Sequence, residues 1–73
     1  MSEARISWIG GPVLRAISRD NFTIQEAIRV GPRELPGEVI KLNGQEIIAQ
    51  VFEDTTGLEP GELIIGTGAP LSV

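Results

Sequence analysis

Along this chain apolar and polar residues alternate in short runs, and glycine or proline closes most of them. In Ala4–Ile9, the residues Ala4, Ile6 and Trp8 alternate with Arg5 and Ser7. A period of two puts one face of a strand in a core, so this run predicts a strand with Trp8 inward. The other reading of Trp8 is an interface anchor, a role in which tryptophan is enriched. Gly10-Gly11-Pro12 breaks the strand, because glycine accepts positive φ and proline cannot donate to a ladder. Val13–Ile17 follows as a second strand, and Ser18-Arg19-Asp20-Asn21 as a polar loop.

The next segment reads two ways. Thr23-Ile24-Gln25-Glu26 matches a capping box, and Ile24, Ala27 and Ile28 have helical spacing. Yet Ile24, Ile28 and Val30 also alternate, with Glu26 as the one misfit. Gly31-Pro32 stops the segment after about two helical turns, a marginal length for a helix. Leu35-Pro36-Gly37 then predicts a turn and Glu38–Leu42 a strand. Asn43-Gly44 predicts a type I′ hairpin, since both residues tolerate positive φ. Gln45–Phe52 returns as its partner strand, with Ile47, Ala49 and Val51 on one face and Ile48, Gln50 and Phe52 on the other. Apolar residues on both faces point to a strand buried on one side and docked on the other. Asp54-Thr55-Thr56-Gly57 reads as a loop, Glu59-Pro60-Gly61-Glu62 as a tight turn and Leu63–Ile65 as a short strand. Gly66, Gly68 and Pro70 then loosen the chain before Leu71-Ser72-Val73.

Composition supports the same picture. Val, Ile and Thr supply 19 of 73 residues, and their branched side chains suit pleated, half-buried strands. Gly and Pro add 14 more at short intervals, the pattern of a small barrel or sandwich. A chain this short is one domain, 1–73, burying about 60% of its unfolded surface. Histidine and cysteine are absent. That removes thiol nucleophiles, disulfides, the usual zinc sites and a histidine base. The missing cysteine also fits a cytosolic chain.

Charge is uneven. All six basic residues lie within residues 1–41, whereas Glu46, Glu53, Asp54, Glu59 and Glu62 stand unopposed in residues 42–73. An acidic half repels phosphates, which disfavours a nucleic-acid partner. No apolar run approaches the ~20 residues of a membrane helix, and Met1-Ser2-Glu3-Ala4-Arg5 lacks the features of a secretion signal.

Candidate chemistry is sparse. Gly66-Thr67-Gly68 lacks the third glycine of a dinucleotide fingerprint and the Gly-Lys-Thr/Ser of a phosphate loop, so it reads as a turn. Glu53-Asp54 has none of the spaced oxygen ligands of a calcium loop and reads as solvated. Glu26 and Arg29 could form a cross-strand ion pair where subunits meet; on an open surface such a pair contributes less than ~1 kcal/mol. The apolar Leu71-Ser72-Val73 end reads as a cut inside a longer protein, which would expose a strand edge to pairing with a second copy.

Taken in order, these segments resemble the N-terminal barrel of the catalytic chain (the A subunit, or alpha chain) of V/A-type rotary ATPases. Gly11-Pro12-Val13 matches that family's early turn, and Glu26-Ala27-Ile28-Arg29-Val30-Gly31 its third strand and closing glycine. Gly37-Glu38-Val39-Ile40-Lys41-Leu42 is similar to the family's Gly-Glu-Ile-Ile-Arg-Leu. Gln50-Val51-Phe52-Glu53-Asp54-Thr55-Thr56-Gly57-Leu58 resembles Gln-Val-Tyr-Glu-x-Thr-x-Gly-Leu. Thr67-Gly68-Ala69-Pro70-Leu71-Ser72-Val73 matches Thr-Gly-x-Pro-Leu-Ser-Val. This last element is the most specific, and it favours the catalytic chain over the non-catalytic one and over F-type chains. Lys41 replaces Arg, Glu62-Leu63 stands for Pro-Val, and Gly66 for a basic residue.

The resemblance implies an all-β fold, a small six-stranded antiparallel β-barrel, and turns the ambiguous third element into a strand. It implies a structural role in an ion-translocating ATPase that couples ATP synthesis or hydrolysis to proton or sodium transport. The parent chain would carry Mg-ATP and the catalytic glutamate elsewhere; this barrel would hold no cofactor and perform no chemistry. Its partners would be the B subunits of an A3B3 ring, in the cytoplasmic sector peripheral to the membrane, without nucleic acid or membrane insertion. Ile48, Phe52, Glu53 and Asp54 are the candidate contact residues. The competing reading is a free-standing small barrel that binds a peptide or protein.

Overall fold

The structure, a computed structural model, describes residues 2–70. Six strands run β1 (Glu3–Gly10), β2 (Val13–Ile17), β3 (Glu26–Val30), β4 (Leu35–Asn43), β5 (Glu46–Val51) and β6 (Leu63–Pro70). They close into an antiparallel barrel in the order β1-β2-β5-β4-β3-β6, with β6 returning to β1. Each strand therefore has two partners, although Trp8–Gly10 of β1 pair only with β2 and Lys41–Asn43 of β4 only with β5. The expected fold class holds, and the third element is a strand.

Side-chain alternation fills the barrel. Ala4, Ile6, Leu14, Ala16, Ile28, Val30, Leu35, Val39, Ile47, Ala49, Val51 and Ile64 are buried. Register places large residues beside small ones around the wall. Ile6 faces Ala16, which faces Ile47; Leu14 faces Ala49, which faces Val39. Val51 faces Gly37, which faces Ile28, which faces Gly66. A barrel of few strands has a narrow interior, and this large–small sequence lets the layers interdigitate. Phe22, 6% exposed, closes one end from the β2–β3 loop. Leu58 packs against the core from the β5–β6 connection.

Trp8 corrects the sequence reading: it faces outward, 47% exposed. The β1–β2 register shifts between Ile6 and Trp8, pairing Ile6 with Ala16 but Trp8 with Arg15. The extra residue reverses the inside–outside parity, so the ring leaves the core and Ile9 returns to it opposite Leu14.

Three turns also differ from expectation. Leu35-Pro36-Gly37 is not a turn but the start of β4; the reversal is Gly31–Glu34, closed by the Glu34 N–H donating to the Gly31 carbonyl at 3.0 Å. Asn43 is the last residue of β4 and pairs with Glu46, so the hairpin turns on Gly44-Gln45. Only Gly44 takes positive φ there (63°), the pattern of a type II′ turn rather than I′. Gly66, Gly68 and Pro70 do not loosen the chain; they belong to β6. Leu71-Ser72-Val73 lies outside the described residues.

The capping-box signal marks a turn instead of a helix. The Thr23 N–H donates to Glu26 Oε1 at 3.0 Å, as in a helix start, but the Glu26 N–H returns to the Thr23 carbonyl at 3.2 Å and a strand follows. Glu59–Glu62 repeats the device: the Glu59 N–H donates to Glu62 Oε1 at 2.9 Å.

Candidate contact site between subunits

One end of the barrel gathers the β1–β2 turn, the β3–β4 turn and the long β5–β6 connection. Two side chains tie them together, and a third braces the connection itself. Thr55 Oγ1 donates to the Gly11 carbonyl at 2.9 Å, and an Arg33 guanidinium nitrogen donates to the Thr56 carbonyl at 2.6 Å. Asp54 Oδ1 accepts from the Thr56 N–H (3.0 Å) and hydroxyl (2.7 Å). Those two bonds, in the order side chain then backbone, hold the Asp54 carboxyl below its ordinary value of 3.8, and Arg33 adds to them.

Of the predicted contact residues, Phe52, Glu53 and Asp54 are brought together here. With Gly11, Pro12, Val51 and Thr55 they line a shallow cleft of about 370 Å³. Phe52 is 45% exposed although its backbone N–H is anchored to the Pro36 carbonyl at 2.9 Å. The ring thus projects from a fixed backbone. Ile48 is not part of the cleft. It sits half-buried on the outer face of β5, paired with Arg15 of β2 and Lys41 of β4. The outer row is therefore Trp8, Arg15, Ile48, Lys41, an apolar and basic strip around the wall. Sequence reasoning missed Trp8, Ile17 and Ile40 as outward apolar residues. Parity already put Ile17 out, opposite Leu14 and Ala16. Alternation from the buried Val39 likewise puts Ile40 out; the second register shift, between Val39 and Lys41, instead turns Lys41 outward opposite Ile48 and leaves no trace in the residue pattern.

The predicted Glu26–Arg29 pair does not form. Glu26 is buried at 3% exposure and bonded to Thr23 and Gly68, whereas Arg29 is exposed on the outer wall.

The glycine-rich Gly66-Thr67-Gly68 does not suit a phosphate. The Gly68 N–H donates to Glu26 Oε2 at 2.9 Å and Thr67 Oγ1 to the Ala27 carbonyl at 2.8 Å. An anion placed there would meet a buried carboxylate. No helix among the described residues is long and apolar enough to cross a membrane.

Residues 6–68 match the family described as "ATP synthase alpha/beta family, beta-barrel domain". The chain belongs to that family. Three relatives share this ATP synthase barrel. The A subunit numbered 1 of the A-type ATP synthase of Methanospirillum hungatei is 48% identical over 65 residues, 89% of this chain and 11% of that one. The A subunit of the A-type ATP synthase of Methanococcus vannielii is 45% identical over 73 residues, all of this chain and 12% of that one. The V-type ATP synthase alpha chain of Halothermothrix orenii is 41% identical over 71 residues, 97% of this chain and 12% of that one. The ATP synthase barrel described here thus spans about one-ninth of the length of these relatives.

Proposed function

We propose that this barrel is a non-catalytic assembly element of a rotary ATPase catalytic subunit. In this reading it forms part of a collar that holds an A3B3 ring together while neighbouring domains synthesise or hydrolyse ATP in step with proton or sodium transport. The match of residues 6–68 to the ATP synthase barrel carries the reading. Mechanics support it. Every strand is paired on both sides and the interior is filled, so the barrel resists shear without needing a rigid partner. Members of a ring meet head to tail, so two unlike flanks must contact the neighbours. The Phe52–Glu53–Asp54 cleft is acidic, whereas the strip around Ile48 carries Arg15 and Lys41, so the two are unlike in charge. We assign them to contacts with the barrels of neighbouring B subunits, in the cytoplasmic sector peripheral to the membrane. Mg-ATP belongs to the remainder of the parent chain, and the barrel alone binds no nucleotide.

The test replaces the matched segment of the Methanococcus vannielii relative with this chain and follows ring assembly by native mass spectrometry. The chimera assembles; Ile48→Glu and Phe52→Glu weaken assembly while ATP hydrolysis per assembled ring stays unchanged. Assembly indifferent to both variants would remove these contacts. Micromolar ATP binding to the 73-residue chain in calorimetry would overturn the non-catalytic assignment.

A further inference from the structure

Strand β6 does not pair regularly with β3. Val30, Arg29 and Ile28 face Ile64, Ile65 and Gly66 in uniform register, yet Glu26 faces Pro70. Three residues, Thr67, Gly68 and Ala69, therefore oppose the single residue Ala27. A uniform ladder would instead set Glu26 opposite Gly68. The two registers differ by two residues, the period of a strand, so both keep the same side chains inward. Inside–outside patterning cannot choose between them. They differ in where the chain leaves the barrel: two residues of strand are about 7 Å.

The choice is made by side chains. Glu26 is buried and its carboxylate joins two segments. Oε1 accepts from the Thr23 N–H at 3.0 Å and from Thr23 Oγ1 at 3.3 Å; Oε2 accepts from the Gly68 N–H at 2.9 Å. Gly68 stands at φ 78°, a conformation other residues enter only with strain. Thr67 Oγ1 completes the bulge, donating to the Ala27 carbonyl at 2.8 Å and accepting from the Ala69 N–H at 3.3 Å. Beneath them Gly66 leaves room: a Cβ there would strike Glu26 Oε2 and the Phe22 ring.

We propose that Glu26 is a latch that holds β6 in its bulged register and so fixes the point and direction at which the chain leaves the barrel. It is a positioning residue and acts through the Gly68 amide. Removing its charge frees β6 to slip by two residues toward the uniform ladder. The proposal concerns the barrel's own register and stands apart from any role in a ring.

NMR on the 73-residue chain tests it. In the unaltered chain, a scalar coupling across the hydrogen bond links the Gly68 amide nitrogen to the Glu26 carboxylate carbon. Its absence, with a Gly68 amide exchanging as fast as that of Gly44, overturns the proposal whether or not any variant folds. In Glu26→Gln the carboxamide offers the Gly68 N–H either its nitrogen, which cannot accept, or a neutral oxygen, a weaker acceptor than a carboxylate. Gly68 exchange then rises about tenfold or more relative to Ala49, as loss of a charged hydrogen bond predicts. The Overhauser contacts of Pro70 move from residue 26 to Ile24. A folded Glu26→Gln that keeps both the Gly68 protection and the Pro70 contacts overturns the latch.

Discussion

The Arg15 guanidinium stands 5.1 Å from the centroid of the Trp8 ring, on the outside of the barrel. The ring's other neighbour is Gly10, where a Cβ would collide with it. Trp8 thus lies flat along the wall, between a cation and bare backbone. An exposed cation–π contact is worth about 0.5–1 kcal/mol. Trp8→Ala is expected to destabilise the chain by about 1 kcal/mol in urea denaturation, against roughly 3–5 kcal/mol for a core tryptophan. Trp8 fluorescence in the native chain is quenched by iodide; a shielded, blue-shifted emission would contradict the outward placement.

Gly37 is demanding for a different reason. Its φ is ordinary, but a Cβ there would press on the carbonyl oxygen of Gln50 and on Val51 Cα, at 3.3 Å. Both are backbone atoms of the paired β5 and cannot rotate away. Gly37→Ala is expected to destabilise by about 2–3 kcal/mol, at the upper end of overpacking effects. Gly44→Ala has open space around its Cβ and loses only what positive φ costs, about 1 kcal/mol. Denaturation midpoints rank the two; equal losses would mean that β4 shifts to accommodate the methyl.

Trp8 and Gly37 also mark what a residue pattern can carry. Binary alternation sufficed for Leu14–Ala16 and Ile47–Val51, where the ladder is uniform and the inward set follows from parity. It failed at Trp8, beside a register shift that reverses parity, and gave no sign of the skipped ladder at Gly68. A bulge adds residues to one strand without changing residue types, so parity reverses or the ladder skips with no compositional mark. The turn of the Thr23–Glu26 segment was legible as a motif but not as its outcome. The same Glu-to-backbone bond serves a helix start and a tight turn, and only the pairing of β3 with β4 and β6 decides. At the candidate contact site, the gathering of Phe52, Glu53 and Asp54 in one cleft was legible because they are adjacent in sequence. The Trp8–Arg15–Ile48–Lys41 strip was not, because it is assembled across four strands.

Glu34 offers a gain in stability. It closes the β3–β4 turn at φ 53°, where a side chain meets its own backbone. The left-handed conformation costs a non-glycine residue roughly 1–2 kcal/mol, and glycine's extra unfolded-state entropy takes back about half of that. Glu34→Gly is therefore expected to stabilise by up to about 1 kcal/mol, a rise of roughly 4–8 °C in Tm for a domain of this size. Glu34→Val is expected to lower Tm, since a β-branched residue tolerates this φ least. Thermal melts followed by circular dichroism separate the two.

Asp54 gives the end of the barrel that carries the β5–β6 connection an acid-sensitive element whose sign is fixed. Its folded carboxyl titrates below 3.8 because the ionised form accepts the Thr56 hydroxyl and N–H, with Arg33 nearby. The charged form is the one the fold favours, so the stabilisation is full above 3.8 and is lost as pH falls through the lower folded value. Thr56→Val removes the hydroxyl bond, the largest cause, while leaving the backbone bond and the loop volume. The Asp54 carboxyl carbon, followed by NMR, is expected to titrate below 3.8 in the native chain and to move back up in Thr56→Val. The acid limb of the stability curve is then shallower in the variant as pH falls from about 5 to the folded midpoint. A titration unmoved by Thr56→Val would transfer the effect to the Thr56 N–H bond and to Arg33, and Arg33→Gln would then read the share of Arg33.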